Sequence, residues 1–330
     1  MKTLALTIAI ATTVTMAAQT PAPRAKASAY VAPKTAWGDP DLQGTYTDKD
    51  ENGIPMEKPS QFQGKSLDEV DDSELADIVK ERQQRALASA AGIGGTDTGA
   101  GPVHWYEHYD AKNSRAWLVQ DPPDGRIPEQ VPAVQQRNAV RAAARGVRGP
   151  ADSYEDRSLY DRCITRGVLG SILPVIYNNG NQIIQAPGWV AIRNEMIHET
   201  RLVPLDGRPH VSPKVFHQNM GDSRGRWDGN TLVVETTNLD GRTGAGGNGG
   251  ANVYSDRARI TERFTRVDND TLKYEATVDD PGTWTRPWTI SFPWRRDPTY
   301  GFYEYACHEG NYALTNILSG ARADDRAAAK

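Results

Sequence analysis

The chain has 330 residues, enough for one large domain or two small ones, and 38 Lys and Arg against 42 Asp and Glu give a formal net charge of −4. No basic block stands out, which excludes nucleic acid as an expected partner. Beyond the N-terminal stretch no run is apolar for long enough to span a bilayer. Hydrophobic residues make up 38 %, yet 8 Trp and 13 Tyr supply large core pieces and leave flat faces for a ligand.

Lys2 and the apolar residues 4–18 read as a signal peptide over residues 1–18, with small residues at the cleavage spacing in Thr15-Met16-Ala17. A second small-residue site is Ala27-Ser28-Ala29. The mature protein is therefore expected to be soluble and exported, periplasmic or secreted. Residues 19–36 read as a flexible leader rich in Ala, Pro and Lys. Residues 38–46 look like a turn leading into a strand. Ser66-Leu67-Asp68-Glu69 has the form of a capping box, and the spacing of Leu75, Ile78, Val79 and Leu87 predicts a helix to about residue 91.

His104-Trp105-Tyr106-Glu107-His108 has the residue order of an inverted zinc protease. Its aromatic content and the Gly-rich residues before it favour instead a loop or strand that offers His104 and Trp105 to a pocket mouth. Residues 116–120 read as a strand stopped by Asp121-Pro122-Pro123-Asp124-Gly125, and residues 133–144 as a helix. From about residue 171 the pattern turns to β. Residues 182–186 and 189–202 are strand-like. Asp228-Gly229-Asn230 between strand formers marks a hairpin. Residues 259–267 and 271–278 form a second hairpin, and residues 284–292 and 300–307 supply two more strands. Residues 241–250 read as a long, mobile Gly-rich loop.

Consecutive hairpins predict a mainly β fold, an antiparallel meander closing into a lipocalin-like barrel with the N-terminal helices packed outside. About eight to ten strands suffice for closure. A two-sheet sandwich is the alternative. Residues 37–165 form a helical and loop-rich part and residues 166–330 the barrel core with a short C-terminal helix, within one compact domain. The only two cysteines, Cys163 and Cys307, are expected to pair in an oxidising compartment.

Several blocks run across most of the mature chain: Asp121 to Pro128, Tyr177-Asn178-Asn179 with Gln182, Glu195-Met196-Ile197-His198, Pro204 to His210, Gly221 to Trp227 and Glu304 to Tyr312. In these the chain resembles a large, uncharacterised family of secreted bacterial proteins. The resemblance implies export and a common fold, and carries no settled activity. Gly44-Thr45-Tyr46 is similar to the Gly-x-Trp opening of lipocalins, with Tyr in place of Trp.

The polar candidates gather on the predicted strands. His198 is the expected general base or acid, with Glu195 or Glu304 as partner and Arg201 or Arg224 stabilising developing negative charge. His308 is a second acid or a metal ligand, and Asp222 caps a turn beside Arg224. In a strand Glu195 and His198 face opposite sides, so a bulge is needed to bring them together. Glu199 and Arg201 then share the face of Glu195, which reads equally as a solvated one. Tyr177, Asn178, Gln182, Trp227 and Trp284, with His104 and Trp105, are the expected ligand contacts. No cofactor is expected, and a divalent metal on two His and a carboxylate is the alternative. The chain has no Gly-x-Ser-x-Gly elbow, phosphate loop or dinucleotide fingerprint. The leading expectation is an exported lyase, isomerase or hydrolase working by acid–base chemistry inside the barrel on a small organic or carbohydrate-derived substrate. The rival is a non-enzymatic carrier for a hydrophobic or sugar-like ligand.

Overall fold

Nine antiparallel strands run in meander order round a nearly closed barrel in the computed structural model, which describes residues 30–91 and 112–329. The expected signal peptide, most of the expected leader, and His104 and Trp105 fall outside the described residues. The strands are β1 (Gly44–Thr47), β3 (Gly180–Ala186), β4 (Trp189–Asn194), β5 (Thr200–Pro204), β6 (Asp222–Asp228), β7 (Thr231–Thr237), β8 (Arg259–Arg266), β9 (Thr271–Asp279) and β10 (Trp288–Arg296). Round the barrel they stand in the order β5-β4-β3-β1-β10-β9-β8-β7-β6. A short β2 (Val119–Asp121) pairs with β10 at Thr289 and Ile290, while β1 pairs with β10 at Arg295 and Arg296. One strand of the ring is thus flanked by two short segments in turn.

The hairpins follow their turn chemistry. Gly229 takes φ +58° between β6 and β7, a conformation that costs a residue without a Cβ little. Strand faces then alternate: Ile260, Glu262, Phe264 and Arg266 on β8 are buried, as are Leu272, Tyr274, Ala276 and Val278 on β9 and Trp288, Ile290, Phe292 and Trp294 on β10. These side chains fill the barrel. Tyr274 stacks on Trp294 with centroids 5.2 Å apart, Phe264 lies against both rings, and Phe292 lies against Tyr274. Arg201 of β5 reaches across to Glu262 of β8 in a bidentate ion pair, and the Tyr274 hydroxyl donates to Glu262 at 3.0 Å. The lumen expected to receive a ligand is therefore packed with aromatic side chains around a buried ion pair.

The strands at the two ends of the order, β5 and β6, share no ladder, and side chains close the gap between them. A Cβ on Gly225 would stand 2.5 Å from Leu205 Cδ2 and 2.8 Å from Val203 Cγ1, so only glycine lets β6 come this near. Gly225→Val is expected to lower stability by about 1–3 kcal/mol through overpacking, read as a lower urea midpoint. An unchanged midpoint would show that the seam is loose.

The helices lie outside the ring, as expected. In α1 (Asp72–Ala91) Leu75 and Ile78 pack on Phe62 and Trp117, and Arg82 donates to Asn113 and the Ala116 carbonyl. The Ser66–Glu69 capping box forms, on a single 3-10 turn that precedes α1. In α2 (Pro132–Arg145) Val134 is buried and Arg137 reaches the Gly282 carbonyl. A one-turn α3 (Gly167–Gly170) and the C-terminal α4 (Ala313–Ala328) complete the set.

Three local expectations are corrected. Residues 189–202 are two strands, broken by a 3-10 turn at Met196–His198 in which Ile197 has φ +60° and His198 φ +45°. Residues 300–307 form no strand, so Glu304 and His308 share no strand face. The Gly-rich loop is packed, with Gly241, Thr243, Ala245 and Gly249 buried. A Cβ on Gly249 would stand 2.2 Å from the Arg166 carbonyl, so backbone meets backbone there.

Candidate functional site

The cysteines do pair. Cys163 and Cys307 are disulfide-bonded with Cα atoms 5.6 Å apart. The bond fits an oxidising compartment outside the cytoplasm, and among the described residues no helix is long and apolar enough to cross a membrane. It fastens the irregular C-terminal segment to the chain that enters α3, and it sets the position of the polar groups around it.

The residues singled out from sequence separate into four places. His198 and His308 are exposed on the outer surface rather than in the lumen, because the turn at Met196–His198 swings the first out and residues 300–310 pass over the outside. His198 Nδ1 lies 2.8 Å from the Tyr305 carbonyl, and neither imidazole pairs with a carboxylate among the described residues. Glu304 is exposed too.

Glu195 is 1 % exposed and fully engaged: it accepts from Asn178 Nδ2, the Gly180 N–H, the Tyr300 hydroxyl at 2.7 Å and the Tyr303 N–H. That makes it a clasp for the C-terminal segment, and Asn178, at φ +55°, one of its donors.

Arg201 is inside, on Glu262. Asp222 and Arg224 are paired on the outer wall. Asp222 also accepts from the Val211 N–H and faces His210 Nδ1 at 3.1 Å, while His210 Nε2 faces Glu235 at 3.1 Å. One imidazole ring thus lies between two carboxylates. They pin the loop between β5 and β6 across the barrel seam. Glu262 on β8 points into the barrel, whereas Glu235 on β7 does not.

Trp284 is core, in edge contact with Trp288 and Tyr254. Trp227 packs on the core from the β6–β7 end, and Gln182 sits on β3 at a position opposite Thr45. Among the described residues no group of three His, Cys, Asp or Glu is arranged for a metal ion.

What the fold does bring together is a polar cluster where the disulfide, α3 and the start of β5 meet. Glu199 precedes β5 and is half-buried. One carboxylate oxygen accepts from the Thr165 hydroxyl at 2.6 Å and the other from Ser171 at 3.1 Å. Burial raises its pKa, and the bonds from Thr165, Ser171 and the Arg166 N–H offset that only in part.

Beside it Arg166 is buried, donates to Asn248 Oδ1 at 2.9 Å, and lies over the Tyr160 ring at 5.3 Å. Tyr160 bonds Tyr177 at 2.9 Å and Tyr305 at 3.1 Å, a chain of three hydroxyls. Burial pushes the Tyr177 phenol up to about 12, with the Tyr160 bond adding to it, and raises Tyr305 also. Burial lowers the pKa of Arg166, opposed by the tyrosines. Tyr177 and Tyr305 therefore stay neutral at ordinary pH.

Two cavities flank the cluster. One of about 260 Å³ is lined by Arg166, Asn248 and the apolar Ile54, Met56, Leu118 and Leu173. The other, of about 290 Å³, is lined by Thr165, Asn248 and several arginines. Asn248 lines both, and Arg166 lines the first. Larger surface clefts run along Lys58–Ser60 and Arg126, at a distance in sequence from this chemistry.

Of the residues named from sequence, Tyr177 belongs to this cluster. Glu199, Thr165, Ser171 and Arg166 were missed. Glu199 looked like one position of a solvated face because the break at Met196–His198 leaves no mark in the pattern. Thr165 and Arg166 stand two and three residues past Cys163, and that proximity to a covalent anchor was the available signal. No protein-family model matches the chain, and no curated protein matches it.

Proposed function

We propose that the protein is an exported enzyme working by acid–base chemistry on a small organic or carbohydrate-derived substrate, as a lyase, isomerase or hydrolase, at the cluster beside α3 rather than within the barrel. The observation that carries this reading is Glu199, a carboxyl of raised pKa bonded to a threonine that lines a cavity. When Glu199 is protonated it can give its proton to the Thr165 oxygen while the Thr165 proton passes to a substrate oxygen in the cavity. The Gly167 N–H, 2.9 Å from Thr165 Oγ1, holds that hydroxyl in place. Arg166 supplies a fixed positive charge in the wall of the 260 Å³ cavity, bonded to Asn248, which lines both cavities. The disulfide and the resemblance to secreted bacterial proteins support the export part of the reading. A carrier needs an open apolar hollow, and the aromatic packing of the inner face speaks against one.

The test is turnover of a panel of small hydroxy acids, sugar acids and their esters, followed by mass spectrometry, with wild type against Glu199→Gln. The variant is expected to lose about 100-fold or more in kcat while keeping its melting temperature. In wild type kcat should fall as pH rises through the raised Glu199 pKa, since the acid form is the active one, and that limb should vanish in the variant. Equal turnover in the two proteins, or no conversion by wild type, sinks the proposal.

A further inference from the structure

The 290 Å³ cavity carries an unbalanced charge. Its wall is built from α2, residues 155–165 and the Gly-rich loop, and its lining includes Arg141, Arg157, Arg162 and Arg242, with Glu155 as the one acidic lining residue. Arg157 is matched by Asp161 at 3.1 Å. Arg141 donates to the Gly241 carbonyl, and Arg162 lies over the Tyr154 ring at 5.1 Å. Among the described residues neither Arg162 nor Arg242 has a carboxylate partner; the Asp240 carboxylate is taken up by the Arg242 backbone N–H.

Like charges converging on one hollow repel, and the repulsion persists where water is partly excluded. Burial, with Arg137 nearby, lowers the pKa of Arg141, and the Asp240 carboxylate offsets this only in part. The Gly-rich loop forming one wall is seated by backbone contact on α3, so the guanidinium groups sit on a fixed frame. Guanidinium forks match planar and tetrahedral oxyanions. A hollow of this size is at the small end of ligand sites, which run from about 300 to 1,000 Å³.

We propose that this cavity is an anion-recognition site that takes a small organic molecule through its carboxylate, sulfate or phosphate group. Its identification as part of a substrate site rests on the acid–base reading of Glu199, because Thr165 links the two. The binding itself does not.

The experiment is calorimetric titration of the full chain at low salt with inorganic phosphate, inorganic sulfate and glucuronate, with glucose as the uncharged control. At least one oxyanion is expected to bind, glucuronate more tightly than glucose, and Arg242→Glu should weaken the binding about tenfold or more. Arg242→Lys keeps the charge but loses the fork, so it should weaken binding less than Arg242→Glu does. Arg242 is exposed, so neither variant threatens folding. Arg162→Ala offers an independent check and should also weaken binding. Preference for glucuronate over the inorganic ions points to an organic anion; the reverse order overturns the organic part. No oxyanion binding, glucose binding as well as glucuronate, or Arg242→Glu matching wild type overturns the site. If anions bind and Glu199→Gln leaves turnover intact, the enzyme reading fails alone. If Glu199→Gln abolishes turnover and no anion binds, this inference fails alone.

Discussion

Arg201→Met alone is expected to cost about 3–5 kcal/mol of stability, and Glu262→Leu alone a similar amount. Each single change leaves a full charge among the aromatic side chains of the barrel, where both partners are almost without solvent contact. Removing both charges should recover most of the loss, because two apolar groups of similar length need no partner there. The recovery has a known gap. Tyr274 donates its hydroxyl to Glu262, and with the carboxylate gone that donor is buried and unmet, at about 1–3 kcal/mol. Adding Tyr274→Phe should close the gap. The order of urea midpoints, singles lowest, double intermediate and triple nearest wild type, is the signature of desolvation. Singles no worse than the double would mean that water reaches the pair. Position adds a further reason for the pair. Arg201 is on β5, an end strand with no ladder on its outer side, and Glu262 is on β8 across the lumen. The ion pair therefore tethers the loose edge of the ring to its opposite wall.

The hairpins and their antiparallel meander were legible because each hairpin is encoded locally, whereas the place of β1 between β3 and β10 rests on long-range pairing. Asp228-Gly229 forces a tight turn, and the alternating residues of β8 and β9 can face only two ways. The pairing of Cys163 with Cys307 follows from there being only two cysteines. What lies inside the ring was not legible in the same way. Alternation says that Phe264, Tyr274, Phe292 and Trp294 point inward, but whether inward aromatics line a hollow or meet in the middle depends on barrel radius, which no single strand records. The candidate site was lost at one residue. A β-branched side chain at positive φ is rare, and no propensity rule puts it at Ile197. Assuming an unbroken strand through Ile197 sent His198 inward and left Glu199 on a wet face. The structure reverses both.

Removing the disulfide by Cys163→Ala with Cys307→Ala is expected to lower stability by about 4–5 kcal/mol on the chain-entropy account, given a separation of 144 residues. Both cysteines must go together, since a single change leaves a reactive thiol. The consequence should not stop at global stability. The C-terminal segment past β10 has no ladder of its own; it is held by the disulfide, by Tyr300 and Tyr303 on Glu195, and by Tyr305 on Tyr160 and His198. The Glu195 clasp grips four to seven residues upstream of Cys307, so it should survive, while Tyr305, closer to the lost anchor, should loosen. Hydrogen exchange is then expected to rise around residues 303–312 and 160–166, the strips that carry Tyr305, Tyr160, Thr165 and Arg166, while the strands of the ring keep their protection. A double variant whose urea midpoint and exchange pattern match wild type would show that hydrogen bonds alone seat the cluster. Uniformly raised exchange across β7 to β10 would show instead that the covalent link supports the barrel rather than the site.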